Sequence, residues 1–160
     1  MIRLILSLII LPLTLMSQDH PYSLGVRVEM FTAYAIASQA INSNDGIEVG
    51  FGITRALNNG YIIQGKYFLD KPISKNNKLF ASFSVGPHLG IFNTDEKIDG
   101  LIHKRRSLLL AGLNTYGGLK YKPLLSKIVD SMGLGIVYHY GPIYDYPIEL
   151  SANIQFKIFK

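Results

Sequence analysis

His139 and Glu149 are the residues whose types and spacing come nearest to a catalytic arrangement in this sequence. A histidine can remove a proton from a hydroxyl nucleophile, and a carboxylate can hold the imidazole in the required orientation. The nucleophile is missing, because Gly141 stands two residues after His139, while Ser131 and Ser151 lie at other spacings, before and after it. His139 and Glu149 are therefore weak catalytic candidates, and the sequence favours a protein that is not an enzyme.

Motifs for metals and cofactors are absent from the sequence. It contains no cysteine, which excludes disulfides, thiolate nucleophiles and cysteine-based zinc sites. Gly50-Phe51-Gly52 lacks the further glycine of a dinucleotide-binding loop, and the acidic residues that follow Thr94 do not have the spacing of an EF-hand loop. His88 and His139 both lie on the polar side of an alternating segment, but no third ligand follows at a fixed spacing. We therefore expect neither a cofactor nor a metal ion.

The positive charge of the chain is modest, at +5 over 160 residues. Its densest basic cluster is Lys104, Arg105 and Arg106, which follow His103. A nucleic-acid-binding protein needs a basic face together with an element that reads the bases, and neither is visible. We therefore expect no nucleic-acid partner, and we interpret the cluster as a solvated loop or as a contact to lipid headgroups.

The amino terminus has the pattern of an export signal. Arg3 supplies a positive charge, Leu4 to Met16 is an apolar run, and Leu15 and Ser17 fit the positions that a signal peptidase recognises. The apolar run is shorter than the ~20 residues of a membrane-spanning helix. We predict a signal peptide over residues 1–17 and a single mature domain over residues 18–160, with an uncleaved amino-terminal anchor as the alternative.

The mature segment alternates between apolar and polar residues, as the strands of a half-exposed sheet do. The clearest case is its last stretch, Pro147 to Phe159, in which Leu150 and Ile154 belong to the apolar parity and Ser151 and Asn153 to the polar one. Similar alternation is found in Tyr22–Phe31, Ile47–Thr54, Tyr61–Asp70, Leu79–Phe92, Ser107–Lys122 and Val129–Gly141. The sequence thus predicts strands, and no helical periodicity follows the signal.

One segment leaves the strand count open, and another is predicted to be a loop. Thr32–Ile41 either extends the first strand or forms a strand of its own, which gives seven or eight strands in total. Asn93–Arg106 carries mixed charge, and we predict that it is the longest loop.

The composition of the two parities favours a membrane barrel over a water-soluble sandwich. In the membrane barrel, the apolar residues face lipid and the polar parity, here rich in glycine and serine, fills a narrow lumen. Buried charges must pair, and we predict a polar network inside the lumen from Arg27, Glu29, Glu48, Lys66, Lys120, Glu149 and Lys157. Aromatic residues gather near strand ends, as in interfacial girdles, among them Tyr61, Phe80, Phe92, Tyr121, Tyr138 and Tyr140.

The export signal, the alternating strands and Phe159 near the end of the last strand resemble small bacterial outer-membrane β-barrels of the OmpA/OmpX type. This resemblance implies an all-β, antiparallel up-and-down transmembrane barrel of about eight strands over residues 18–160, located in the cell outer membrane. It also implies a monomer that is folded by the barrel-assembly machinery and has a structural or loop-mediated role in the envelope. Its partners would be outer-membrane lipid and lipopolysaccharide, whose phosphates Lys104, Arg105 and Arg106 could contact.

Two other functions remain as alternatives. Outer-membrane lipid A deacylases are small barrels with a His, a Ser two residues later and a downstream Glu. His139-Tyr140-Gly141 with Glu149 resembles a degenerate form of that motif, in which Gly141 replaces the serine. The second alternative is a soluble periplasmic barrel that binds a small apolar ligand, with its apolar parity turned inward.

Overall fold

The structure is a computed structural model that describes residues 22–55, 60–98, 101–123, 127–141 and 147–158, with the backbone alone for residues 94–98 and 101–106. In these ranges the chain forms eight strands: β1 (Tyr22–Glu29), β2 (Thr32–Ala40), β3 (Asp45–Thr54), β4 (Gly60–Pro72), β5 (Leu79–Ile98), β6 (Leu101–Tyr121), β7 (Val129–Tyr140) and β8 (Ile148–Lys157). The predicted signal peptide and Phe159 lie outside the described residues. Within the described ranges, no helix is long and apolar enough to cross a membrane.

The sheet closes on itself. Each strand pairs in antiparallel orientation with the next one, and β1 also pairs with β8, where Leu24 lies opposite Phe156 and Val28 lies opposite Ala152. Closure leaves no unpaired strand edge at this seam. The predicted all-β barrel of eight antiparallel strands is confirmed, and Thr32–Ala40 is a strand of its own.

The order of the strands gives the barrel two different ends. The termini end contains Tyr22, Lys157 and the connections β2–β3, β4–β5 and β6–β7, and the hairpin end contains the other connections. At the hairpin end, only Met30 and Phe31 join β1 to β2.

Most of Asn93–Arg106, which was predicted as a loop, belongs instead to the paired strands β5 and β6. The two strands stay paired beyond Asn93 and Ser107, as far as Ile98 and Leu101. A backbone ladder can continue through polar sequence because the peptide groups themselves supply its hydrogen bonds. The prediction of a loop was wrong because it relied on apolar alternation, which this hairpin lacks.

The apolar parity faces outward, as predicted. In β8, Leu150 is 74% exposed, whereas Ser151 is 3% exposed and Asn153 9%. The same arrangement holds in β7, where Leu134 is exposed and Ser131 is buried. The barrel therefore has an apolar outer surface and a polar interior.

Tyrosines ring this outer surface near both ends of the strands. Tyr61, Tyr138 and Tyr140 are exposed at the hairpin end, and Tyr67 and Tyr121 are exposed nearer the termini end. Amphipathic rings at these heights suit the two interfaces of a bilayer. Phe80 and Phe92, which were predicted as girdle residues, are instead buried inside the barrel, because they occupy the inward parity of β5.

Strand β2 and its neighbours place apolar side chains inside the barrel. Ala33 and Ala35 face outward, while Tyr34 and Ile36 are 1% and 3% exposed and point inward. They form an internal apolar cluster with Ile62 and Phe92, against which Leu110 packs. The lumen is therefore filled by apolar as well as polar side chains.

Glycines in the wall make room for these rings. A Cβ atom on Gly52 would lie 2.5 Å from the Tyr34 ring, and a Cβ atom on Gly90 would lie 2.3 Å from the Phe92 ring. Both distances are shorter than any normal van der Waals contact. The small residues of the inward parity thus complement the large ones, which closes the lumen by packing.

Candidate functional site

The interior of the barrel contains a layer of paired charges. Arg27 contacts Glu48 twice, with Nη1 at 2.7 Å from Oε1 and Nη2 donating to Oε2 at 2.8 Å. Gln155 Nε2 donates to the same Oε2 at 3.3 Å, and Gln155 accepts a hydrogen bond from Ser131 at 3.1 Å. A bidentate guanidinium–carboxylate pair with further hydrogen bonds is the arrangement that offsets the desolvation of buried charges.

Two further inward residues border this pair. The Arg27 guanidinium lies 5.7 Å from the centre of the Tyr116 ring, within the range of a cation–π contact. Lys66 lies directly opposite Glu48 in the β3–β4 ladder and is 2% exposed. Arg27 and Lys66, which were predicted as lumen cations, thus both lie beside Glu48, a predicted lumen anion.

A second charged cluster, the termini-end cluster, consists of Asp70, Lys120 and Lys122. Lys120 Nζ is 2.9 Å and Lys122 Nζ is 3.1 Å from Asp70 Oδ2, and the Ser82 hydroxyl donates to Asp70 Oδ1 at 2.8 Å. Lys120 also lies over the Phe68 ring at 4.5 Å. Lys120 was among the residues predicted for the lumen, whereas Asp70 and Lys122 were not. The signal was present, since Asp70 continues the inward parity of Gln64 and Lys66 in β4.

The third group, the hairpin-end cluster, consists of Glu29, His139 and Glu149. His139 Nε2 is 3.6 Å from Glu29 Oε2 and 3.8 Å from Glu149 Oε1. The three side chains come from β1 and β8, which meet at the seam, and from β7, the other neighbour of β8. The structure therefore brings His139 and Glu149 together, and it adds Glu29 to them.

The amide of Asn114 contacts the imidazole of His139, and the amide of Gln64 holds Asn114 in place. Asn114 Oδ1 is 2.8 Å from His139 Nδ1, and Asn114 Nδ2 donates to Gln64 Oε1 at 3.0 Å. Because the amide nitrogen of Asn114 is directed at Gln64, its oxygen faces the ring and accepts a hydrogen bond from Nδ1. Position 141 is a glycine and supplies no nucleophile, so this arrangement does not form an acyl-transfer triad.

Six of the seven residues predicted for the lumen are buried: Arg27, Glu29, Glu48, Lys66, Lys120 and Glu149. Lys157 does not join them. It lies at the last position of β8 and is exposed, and its backbone N–H donates to the carbonyl of Ile128 at 2.8 Å. The inward parity of β8 ends at Gln155, before the strand leaves the barrel wall. The side chains of Lys104, Arg105 and Arg106 lie outside the described residues.

Open space in the interior differs between the middle and the termini end. A cavity of about 480 Å³ opens at the termini end, lined by residues that include Ser23, Asp70, Lys122 and Asp130. Further in, the cavity bordered by Arg27, Glu48, Tyr116 and Lys120 measures only about 10 Å³, which is room for about one water molecule. The charged layer thus leaves little free space around Arg27 and Glu48.

Comparison with solved structures supports the fold, whereas comparison of the sequence with family models and curated proteins finds no match. Among solved structures, the N-terminal β-barrel domain of Pseudomonas aeruginosa OprF aligns with a TM-score of 0.68 at 10% identity, over 86% of this chain and 97% of that one. Neisserial surface protein A aligns with a TM-score of 0.58 at 16% identity, over 87% of this chain and 94% of that one.

A designed transmembrane β-barrel also aligns, with a TM-score of 0.58 at 12% identity, over 89% of this chain and 98% of that one. These likenesses extend over nearly the whole length of each compared chain. The chain therefore has the fold of small transmembrane barrels of the OmpA/OmpX type.

Proposed function

We propose that the mature chain is a sealed β-barrel of the bacterial outer membrane that has a structural or loop-mediated role in the envelope. The observation that carries the proposal is the contrast between the two faces of the wall. Its outside is a continuous band of exposed aliphatic and aromatic side chains, and its inside contains paired charges. A water-soluble monomer rarely exposes so large an apolar surface, whereas a bilayer requires one.

The same contrast argues against a soluble periplasmic carrier. Such a protein would turn its apolar parity inward around a ligand, but here that parity faces outward and the interior is occupied by Arg27, Glu48, Tyr116 and the internal apolar cluster. An enzyme related to the lipid A deacylases is not supported either, because Gly141 cannot replace the serine of that motif.

The location follows from the proposed export route. Residues 1–17 would direct the chain across the inner membrane, and the barrel-assembly machinery would insert residues 18–160 as a monomer. Cell fractionation followed by an unboiled dodecyl sulfate gel tests this. We expect the protein in the outer-membrane fraction, with faster migration before boiling than after it, because folded membrane barrels resist the detergent. Recovery in the osmotic-shock fraction without detergent would reject the membrane assignment.

Lipopolysaccharide is the partner that suits the basic residues of the β5–β6 hairpin. Lys104, Arg105 and Arg106 belong to β6 where it extends beyond the barrel at the hairpin end, and phosphate groups suit closely spaced cations. Replacing all three with alanine should weaken the binding of purified lipopolysaccharide and make the remaining binding less sensitive to salt.

A matched control is available at the other end of the barrel. Lys71, Lys75 and Lys127 are exposed near the termini end, and alanine at these positions removes the same number of charges. Binding should be unaffected in this control. Equal weakening in the two triple variants would show that net charge alone determines binding.

A further inference from the structure

The hairpin-end cluster has the donor set of a metal site. Glu29 Oε2, His139 Nε2 and Glu149 Oε1 approach one another with spacings of 3.6 and 3.8 Å from the histidine, and the ligand atoms of the three residues all lie within 4.8 Å of one another. Four-coordinate zinc with ligand bonds of about 2.0–2.2 Å separates its ligand atoms by about 3.3–3.6 Å. The three side chains need to move inward by only a few tenths of an ångström to about one ångström.

Neighbouring groups orient each donor toward the centre of the cluster. The hydrogen bond from His139 Nδ1 to Asn114 Oδ1 fixes the tautomer in which Nε2 carries the lone pair, and Nε2 is the atom that faces both carboxylates. The Phe31 N–H donates to Glu149 Oε2 at 3.4 Å, which leaves Oε1 toward the histidine. Metal-binding histidines and carboxylates are commonly oriented by hydrogen bonds of this kind.

Glu29 supplies an independent indication that a cation belongs here. Its side chain is 0% exposed, and within the described part of the chain neither of its carboxylate oxygens accepts a hydrogen bond. The 3.6 Å to His139 Nε2 is too long for one. A buried carboxylate without donors is costly unless a positive ion compensates it.

The basic side chains around Glu29 do not balance the carboxylates there. Arg27 and Lys66 attract its carboxylate, but Arg27 is engaged by Glu48. With Glu149 included, three carboxylates share this part of the lumen with two basic side chains, so that the acidic groups outnumber the basic ones by one.

We propose that Glu29, His139 and Glu149 bind a divalent transition metal ion of the zinc class inside the barrel. One imidazole with two carboxylates favours such an ion over calcium or magnesium, which prefer sets made entirely of oxygen ligands. A fourth position remains for water or for His88, whose ring stands edge-on to His139 with 6.3 Å between centroids. The ion would connect β1, β7 and β8 and so tie the first strand of the barrel to the last two.

Zinc binding to the whole mature chain, refolded in detergent without a histidine tag, tests the proposal. The chain has four histidines, and all proteins compared should contain His20→Ala and His103→Ala, which leaves His88 and His139 as the only histidines. We expect one zinc ion per chain by calorimetry and by metal analysis after dialysis, together with a higher unfolding midpoint when zinc is present. Glu29→Gln and His139→Asn should each weaken binding at least tenfold.

Asp70→Asn is the matched control, because it removes a buried carboxylate that is paired with Lys120 in the termini-end cluster, away from Glu29. It should retain one zinc ion per chain at unchanged affinity. Migration on an unboiled gel verifies that each variant is folded, and if one of the two cluster variants is not, the other decides. Absence of saturable zinc binding, or equal affinity in Glu29→Gln and its parent, would overturn the proposal and leave a proton as the compensating charge.

Discussion

The Arg27 guanidinium and the Glu48 carboxylate meet through two parallel contacts, at 2.7 and 2.8 Å, with both side chains almost completely withdrawn from solvent. The residues belong to β1 and β3, so that β2 lies between them and the pair reaches past β2 inside the barrel. This contact connects strands that share no backbone ladder.

Breaking the pair from one side should cost more than removing it altogether. Arg27→Met or Glu48→Leu alone leaves a buried charge without its partner, and we expect each to lower the free energy of unfolding by about 3–5 kcal/mol. The double variant should lose much less than the sum. Urea titrations in detergent micelles measure all four proteins of the cycle, and additive losses would show that the two residues act independently.

The outward face should reject charge most strongly at mid-height. Leu134 lies near the middle of β7 and is 68% exposed, so Leu134→Arg should destabilise the folded barrel in lipid by about 2–4 kcal/mol. Ile148→Arg, at the first position of β8, serves as the control and should cost about 0–1 kcal/mol, since the new charge can reach the interface. Equal costs would contradict the assignment of this face to hydrocarbon.

Two glycines near one another should tolerate alanine very differently. A Cβ atom on Gly86 would lie 1.8 Å from the backbone oxygen of Gly65, whereas a Cβ atom on Gly65 would meet nothing within 4 Å. We expect Gly86→Ala to cost at least about 3 kcal/mol or to prevent folding, because a backbone atom cannot be repacked. Gly65→Ala should remain within about 0.5 kcal/mol of the parent. An unboiled gel measures the difference, as the fraction of each variant that migrates as the folded form.

In the termini-end cluster, Asp70 should be coupled more strongly to Lys120 than to Lys122. The Lys120 side chain is 10% exposed and that of Lys122 is 30% exposed, so only Lys122 can turn its ammonium to water when Asp70 is removed. Double-mutant cycles with alanine should give about 1–3 kcal/mol for Asp70–Lys120 and less than about 1 kcal/mol for Asp70–Lys122. The second value should also fall in high salt.

The interior should not conduct ions. The cavity beside Arg27 and Glu48 has only about 10 Å³ of free space, and the internal apolar cluster lies toward the hairpin end. In planar bilayers we expect the conductance of the lipid alone after the protein has inserted. A stable open level that follows protein concentration would show that the charged layer moves aside.

The orientation of most strands could be predicted because only one of their two parities is apolar. In β8, for example, Leu150 and Ser151 cannot exchange places without exposing a polar face to lipid. In β2 this argument fails, because alanines alternate with Tyr34 and Ile36 and both faces are apolar. Packing against Gly52 decides which face turns inward, and that complementarity involves a residue on another strand.

For the charged clusters, the sequence predicts the direction of each side chain but not its partners. Parity identified the inward charges Glu29, Glu48, Lys66 and Glu149, because each side chain direction depends only on its own strand. Which of them meet depends on the stagger of eight strands around a closed barrel. Sequence alone therefore could not show that Glu29 lies beside His139, or that the pairing of Arg27 with Glu48 crosses an intervening strand.

The fit between Gly52 and Tyr34 also limits how this protein can change over evolutionary time. A larger residue at position 52 becomes acceptable only after the ring at position 34 has been lost, and the same order applies to Gly90 and Phe92. Homologues should consequently vary at these positions in pairs, with bulk gained at one position and given up at the other. An alignment deep enough to reveal such covariation would record the inner contour of the barrel without any coordinates.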